Sequence, residues 1–358
     1  MKAVILVGGE GTRLRPLTYK IPKQMIRIAG TTMIERVLRN LKNSGIYEAV
    51  LSLGYKPDAF LKAFPESRAQ GVSLTYVVED SPLDTAGAIR YAATNAGIKE
   101  TFVVLNGDVL TDLNLSEVIK FHESSKARGT IALTPVEDPS RFGVVPTTED
   151  GKVINFIEKP RAEDAPTNYI NAGTYVFEPE VIGMIDDGRR VSIERETFPE
   201  MVKEGSLFAY KSDDYWLDTG THESLLKASF DVLTVRKDRF VENATEASPT
   251  IFLGKGVSVS SSSVLLKEIL VLANSEIEDN VKLDKAIVHE NSIVGMDCVI
   301  RNSILYENVR VGKKSTVVNS IVADDVEIGD EAVLENTVIG RGERIEAGSR
   351  LSGARIPS

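Results

Sequence analysis

The chain begins Met1-Lys2-Ala3-Val4-Ile5-Leu6-Val7-Gly8-Gly9-Glu10-Gly11-Thr12-Arg13-Leu14-Arg15-Pro16-Leu17-Thr18, and Pro22-Lys23 follows shortly. The apolar run at residues 3–7 predicts a buried parallel strand at the head of an α/β pattern, and ligands bind where such strands end. Glycines let backbone N–H groups come close to a phosphate, and Arg13 and Lys23 add fixed positive charge. Gly8, Gly9, Gly11, Thr12 and Arg13 are therefore candidate phosphate-binding residues. The run is not a P-loop, because no Gly-Lys-Ser/Thr closes it. Nor is it a dinucleotide fingerprint, since Leu14 stands where the third glycine belongs. A plain strand-to-loop turn needs one glycine, and this one holds three beside three cations.

Working outward, residues 50–53, 74–78, 102–105 and 131–133 predict further strands. Between the first two strands, Ile34, Val37, Leu38 and Leu41 fall at helical spacing; Thr32 with Glu35 forms a capping box, and Gly45 ends the helix. This alternation predicts a doubly wound sheet with helical crossovers. Residues 237–249 are polar and read as a linker. The expected domains are thus 1–236 and 250–358.

Beyond the linker the text repeats. Ile287, Ile304, Ile321 and Val338 recur every 17 residues, as do Val294, Val311, Ile328 and Ile345, and Ile300, Val317, Leu334 and Leu351. Asn302, Asn319 and Asn336 form another column, each followed by Ser or Thr. Short β-branched positions about six apart, three to a coil, predict a hexapeptide-type parallel β-helix, in which stacked coils bury edges that one coil cannot. The repeat is clear from about residue 270, so 250–269 read as a degenerate first coil or two.

Composition narrows the function. The 358 residues carry 42 basic and 52 acidic side chains, a net charge of −10. A nucleic-acid or membrane-surface binder needs a broad positive field, so neither partner is expected. A local cationic pocket suits a small anionic ligand better. One cysteine, Cys298, excludes an internal disulfide and a cysteine-based metal site. With a start that leads directly into a strand and no apolar run of membrane-spanning length, a cytoplasmic protein is expected.

Further chemistry sits at strand ends. Asp108, in Asn106-Gly107-Asp108, follows a predicted strand, and Asp218 lies in Trp216-Leu217-Asp218-Thr219-Gly220-Thr221. Magnesium takes one or two carboxylates plus phosphate oxygens and water, so these two acids form a candidate metal pair. Glu158-Lys159 could place a hydroxyl acceptor beside a phosphate-holding amine, or be a weak surface ion pair. Asn171-Ala172-Gly173 could supply an amide and a close backbone approach. His122, His222 and His289 show no ligand spacing and read as structural, and no nucleophile–histidine arrangement is legible.

The ordered set of the opening loop with Pro22-Lys23, Asn106-Gly107-Asp108-Val109, Arg141-Phe142-Gly143-Val144-Val145, Phe156-Ile157-Glu158-Lys159-Pro160, Asn171-Ala172-Gly173, Ser192-Ile193-Glu194-Arg195-Glu196-Thr197-Phe198-Pro199 and Trp216-Leu217-Asp218-Thr219-Gly220-Thr221 resembles the sugar-nucleotide pyrophosphorylases. It is most similar to mannose-1-phosphate guanylyltransferases with a C-terminal left-handed β-helix. The resemblance implies a Rossmann-like, mostly parallel mixed sheet of the GT-A-like nucleotidyltransferase type. It also implies a reaction in which a sugar 1-phosphate attacks the α-phosphorus of a nucleoside triphosphate and releases pyrophosphate. The nucleophile is then an ionised phosphate oxygen, so no general base is needed and catalysis becomes alignment and charge neutralisation. By the same resemblance Arg13 and the glycine loop hold the β,γ-phosphates, Lys23 contacts the reacting phosphate, and Asp108 with Asp218 hold Mg²⁺. Lys159 then grips the sugar phosphate, while Glu158, Asn171 and the Gly143 backbone read the sugar.

The resemblance also takes residues 79–87, from Glu79 to Gly87, past the base. Guanine offers two adjacent donors that suit one carboxylate, so Glu79 favours GTP if its side chain does the reading. Two features point elsewhere. The Trp216–Thr221 block and Lys23-Gln24 resemble glucose-1-phosphate thymidylyltransferases, and Asp84 replaces a glycine usual in this family. The expected substrates are GTP, or another nucleoside triphosphate, and a hexose 1-phosphate, the expected assembly a homo-oligomer. A catalytically inactive sugar-nucleotide-binding paralogue and a β-helical acyltransferase are the other readings; intact Arg13, Lys23, Asp108, Lys159 and Asp218 weigh against the first, and the lack of a convincing catalytic histidine against the second.

Overall fold

The computed structural model describes residues 1–54, 56–236, 241 and 243–357. Close packing divides the chain into two units, Met1–Gly9 with Ile34–Leu217, and Glu10–Met33 with Asp218–Ser358.

In the first unit, Ala3–Leu6 lies parallel between Glu48–Leu53 and Phe102–Asn106, with Ala3 opposite Ala49 on one side and Val103 on the other. Val72–Val78 extends the parallel set past Glu48–Leu53. On the other flank the sheet turns antiparallel: Tyr169–Phe177 pairs with both Phe102–Asn106 and Gly129–Pro135, and Leu207–Lys211 runs parallel to the latter. All four apolar runs predicted after the first are strands of this sheet. Val4, Ile5, Val50, Leu51 and Val104 are fully or almost fully buried, as a sheet covered on both faces requires. Ile34, Val37, Leu38 and Leu41 form the buried stripe of a helix, Met33–Asn43. Gly45 ends it at φ 78°, and the N–H of Ile46 donates back to Leu41.

The second unit holds the repeat. Ile287, Ile304, Ile321 and Val338 stand opposite one another on successive coils, as do Val294, Val311, Ile328 and Ile345. Ile300, Val317, Leu334 and Leu351 make the third column. The coils turn corners at residues with positive φ, stacked in register: Asn280, Asp297, Lys314 and Glu331; Asn291, Asn308 and Asp325; Asn302, Asn319 and Asn336. Asn and Asp tolerate this left-handed backbone best among residues with a side chain. The asparagine column is an outward turn ladder, with Asn302 Nδ2 donating to Asn319 Oδ1 at 2.9 Å. The residues after it point inward: Ser303 and Ser320 are fully buried, and Ser303 Oγ accepts from the Ser320 N–H at 3.0 Å.

The coil starting near residue 250 is regular but longer. Ser258 faces Glu276 and Val264 faces Lys282, one residue more than the 17-residue step of later coils, which puts it out of phase with the repeat. Within the stretch read as a linker, residues 237–240 and 242 lie outside the described residues. Ala244–Ser248 is a strand, antiparallel to Ile251–Gly254. Its polar side chains are mostly exposed, so polarity alone did not mark it as structured.

Compactness follows different lines from composition. Glu10–Met33 and the helix His222–Thr234 pack with the coils. Arg27 of the early segment reaches Glu290 and Glu307 at 2.9 and 2.8 Å, and Tyr306 Oη donates to the Arg27 carbonyl at 2.8 Å.

Candidate active site

The glycine loop leaves the central strand through Gly8 and Gly9, the latter at φ 98°. In the second unit Gly11 takes φ 61°, and a Cβ there would sit 3.0 Å from Thr18 Cγ2 and 3.2 Å from Lys23 Cβ. Thr18 Oγ1 donates to the Gly11 carbonyl at 2.9 Å. Glycine is thus required by both backbone and space. The short turn Thr12–Leu14 buries Leu14 and leaves Arg13 largely exposed.

Arg13 is placed by a residue the sequence reading passed over. A Cβ on Gly220 would lie 2.7 Å from Arg13 Nη2 and 2.8 Å from Asp218 Oδ1, so the guanidinium rests against a bare backbone beside Asp218. The Gly220 N–H donates to the same Asp218 oxygen at 2.8 Å. The Thr219-Gly220-Thr221 turn was the available signal. Thr221 then caps the following helix through a reciprocal bond with Ser224. His222, its first residue, is partly buried near the backbone of Leu14 and Arg15, and burial lowers its pKa.

In the first unit, Glu79 follows the strand Val72–Val78. Its carboxylate accepts from Ser52 Oγ and from the Leu83 N–H, both at 3.1 Å, which folds residues 79–83 into a loop. Base reading by this side chain would use its remaining lone pairs. Gly87 lies where a Cβ would meet the Arg189 carbonyl at 3.1 Å, and the N–H groups of Ala86 and Gly87 both donate to Val191. Thr85 Oγ1 donates to Glu194 at 3.0 Å and accepts from the Ile193 N–H at 2.8 Å. The Ser-Ile-Glu-Arg block therefore braces the loop at residues 79–87.

Asp84 adopts φ 62°, which explains a glycine at this position: the backbone is left-handed. Its Oδ1 offsets part of the strain by accepting from the Thr85 N–H at 2.8 Å. Asp84→Ala keeps the strain and loses that bond, so it should destabilise the protein by about 1 kcal/mol. In Asp84→Gly the relief of strain balances the lost bond, leaving stability within about 0.5 kcal/mol of the parent. Urea denaturation of both variants checks this; equal losses would remove backbone strain from the account.

Elsewhere in the first unit, Gly143 pairs with Glu158 across two short antiparallel strands. A Cβ on Gly143 would overlap the Phe156 ring and lie 3.2 Å from Glu158 Oε2. Lys159 takes φ 49°, donates its N–H to the Phe142 carbonyl at 3.0 Å, and pairs Nζ with Glu158 Oε1 at 3.0 Å. Gly143, Glu158 and Lys159 thus converge. Asn171 opens a bulge: it faces Leu133, whereas Tyr175 already faces Ile131. Its amide is engaged inside the bulge, donating to Tyr175 Oη at 2.9 Å and accepting from the Gly173 N–H at 3.0 Å. Gly173, at φ 72°, lets Asn106 pack against it. Trp216 Nε1 donates to the Ala172 carbonyl at 2.9 Å, and its ring meets Phe142 edge-on.

Asp108 lies two residues beyond Phe102–Asn106, where the Gly107 N–H donates to the Leu6 carbonyl at 3.0 Å. Asp218 ends the strand Trp216–Asp218. Among the described residues no cluster of three or more His, Cys, Asp or Glu side chains forms a protein-only metal cage. Asp218 accepts the Gly220 N–H at Oδ1 alone, which leaves its Oδ2 clear of that bond.

A family model described as Nucleotidyl transferase matches residues 2–235. The chain belongs to that family. A second model, the EIF2B subunit epsilon LbH domain, matches residues 248–351 of this nucleotidyl transferase, so the stacked coils are a left-handed β-helix. The mannose-1-phosphate guanylyltransferase of Mycobacterium tuberculosis is 38% identical over 294 residues, covering 80% of this chain and 79% of its own. The mannose-1-phosphate guanylyltransferase catalytic subunit beta of Drosophila melanogaster is 37% identical over 72% of this chain and 67% of its own. Among solved structures, HddC from Yersinia pseudotuberculosis, complexed with GMP-PN, superposes with a TM-score of 0.55 at 30% identity, covering 64% of this chain and 97% of that one. No helix among the described residues is long and apolar enough to cross a membrane.

Proposed function

We propose that this nucleotidyl transferase joins GTP and mannose 1-phosphate to give GDP-mannose and pyrophosphate. The observation that carries the reading is the match to mannose-1-phosphate guanylyltransferases along four-fifths of the chain, reaching into the β-helix. The residues support it. Backbone N–H groups of Gly8, Gly9, Gly11 and Thr12 receive the triphosphate, and Arg13 neutralises the charge that grows on departing pyrophosphate. Lys23 contacts the reacting phosphate. Lys159 holds the sugar phosphate, while Glu158, the Gly143 backbone and the bulge at Asn171 face the sugar hydroxyls. The attacking phosphate oxygen is already ionised, which accounts for a mechanism without a histidine base. Asp108 and Asp218 would hold Mg²⁺, which would withdraw charge from the phosphates.

Glu79 and Gly87 border the base in this reading. A panel of GTP, dTTP, UTP and ATP against mannose, glucose and amino-sugar 1-phosphates, followed by pyrophosphate release, tests the assignment. GTP with mannose 1-phosphate should lead, and a lead by dTTP with glucose 1-phosphate would replace it with a thymidylyltransferase. Glu79→Gln should lower the preference for GTP over dTTP about tenfold, the value of one lost charged hydrogen bond. Unchanged selectivity would mean that the backbone reads the base. The same reading includes a cytoplasmic homo-oligomer, checked by fractionation and by light scattering of the purified chain.

A further inference from the structure

The β-helix carries a column of charged side chains that the proposed chemistry does not use. Glu290, Glu307, Asp324 and Arg341 follow one another at the 17-residue step, one per coil. Neighbouring coils stack at the spacing of hydrogen-bonded strands, about 4.8 Å, so the first two carboxylates repel unless a cation lies between them. Arg27 supplies it. Nη1 pairs with Glu290 at 2.9 Å and Nη2 with Glu307 at 2.8 Å, one guanidinium spanning two coils. All three side chains are half-buried, where such forked, charge-assisted bonds hold geometry better than an exposed ion pair does.

Other contacts within this unit fix the same segment. Tyr306 Oη donates to the Arg27 carbonyl at 2.8 Å, and Lys20 Nζ donates to the Arg341 carbonyl at 3.3 Å. Gly30, at φ 87°, lies against Leu272: a Cβ there would be 3.2 Å from the leucine methyl. The segment held in this way is Glu10–Met33, which contains Arg13 and Lys23. Arg27 stands four residues after Lys23, across one short turn, Lys23–Met25.

We propose that Glu290 and Glu307 are positioning residues: through Arg27 they set the place of the segment bearing Arg13 and Lys23, which makes the β-helix a scaffold for the triphosphate half of the site. The inference rests on the functional reading of Arg13 and Lys23. Neither glutamate touches substrate. Each acts through Arg27, and small displacements of a phosphate-aligning group are costly to turnover.

The test uses the full-length chain with the double substitution Glu290→Gln and Glu307→Gln, beside Glu307→Asp and a control, Glu327→Gln, on another face of the coils. Hydrogen exchange of the amides at residues 23–28 reads the clamp without reference to activity. The double variant should exchange there at least tenfold faster, with the coil amides around residues 300–305 unchanged. In pyrophosphate release its kcat should fall about tenfold or more, with KM for mannose 1-phosphate within about twofold. Glu307→Asp should recover part of the rate, and Glu327→Gln should match the parent. Unchanged exchange at 23–28, or faster exchange with unchanged kcat, would overturn the proposal. A parent chain that releases no pyrophosphate from any nucleotide would instead overturn the functional reading, leaving the clamp itself to be decided by the exchange data.

Discussion

Arg13→Ala should lower pyrophosphate release from GTP and mannose 1-phosphate by about a thousandfold, the scale on which a single arginine stabilises charge in phosphoryl transfer. The side chain is exposed and contributes no core packing, so the thermal midpoint should stay close to that of the parent. Arg13→Lys should recover little, because a compact ammonium cannot reproduce the planar fork. Gly220→Ala provides the structural form of the same prediction. Its methyl group would lie 2.7 Å from Arg13 Nη2 and 2.8 Å from Asp218 Oδ1, so both functional groups must move. The end of an arginine side chain yields easily, and stability should therefore change little while kcat falls about tenfold to a hundredfold. Steady-state kinetics with thermal melts of the three variants decides the matter. A Gly220→Ala enzyme of parental kcat would show that the observed resting place of Arg13 is unrelated to turnover.

Asp108→Asn and Asp218→Asn should each lower turnover about a thousandfold and raise the magnesium concentration needed for half-maximal rate. Asparagine makes the experiment clean at residue 218. Its carbonyl oxygen can still accept the Gly220 N–H bonded to Oδ1, so the turn is retained and only the charge is lost. Magnesium titrations of pyrophosphate release check both variants. A rate loss without a shift in magnesium dependence would assign the aspartates to some task other than holding the ion.

Much of the candidate site could be seen in residue types and order. The glycine loop, Asp108, Glu158-Lys159 and Asp218 were singled out as candidates because phosphate and metal chemistry would demand such groups at strand ends. What escaped were relations between distant segments. Nothing in Asn171-Ala172-Gly173 announces a bulge; it exists because Tyr169–Phe177 must stay paired with Gly129–Pro135 on both sides of it. Asp84 could be flagged only as unusual, and its φ of 62° supplies the reason. Nothing in the Thr219-Gly220-Thr221 stretch names Arg13 as the side chain that rests on Gly220. Glu79, chosen as a base reader, also ties Ser52 and Leu83 into the loop that bears it.

The β-helix divides in the same way. Its column residues were legible because a 17-residue step places like side chains on one face of successive coils, and the structure pairs them in the expected register. The first coil was obscured by one extra residue, since a periodic signal fails at the first change of phase. Local periodicity was enough to mark the parallel strands and the coil period, because both repeat along the chain itself. Packing over long sequence distances sets Glu10–Met33 against the coils, bridges Glu290 and Glu307 through Arg27, and seats Arg13 on Gly220. Such contacts join residues some two hundred or more positions apart, and no local pattern encodes which partner a charge or a bare backbone will meet once the core has closed.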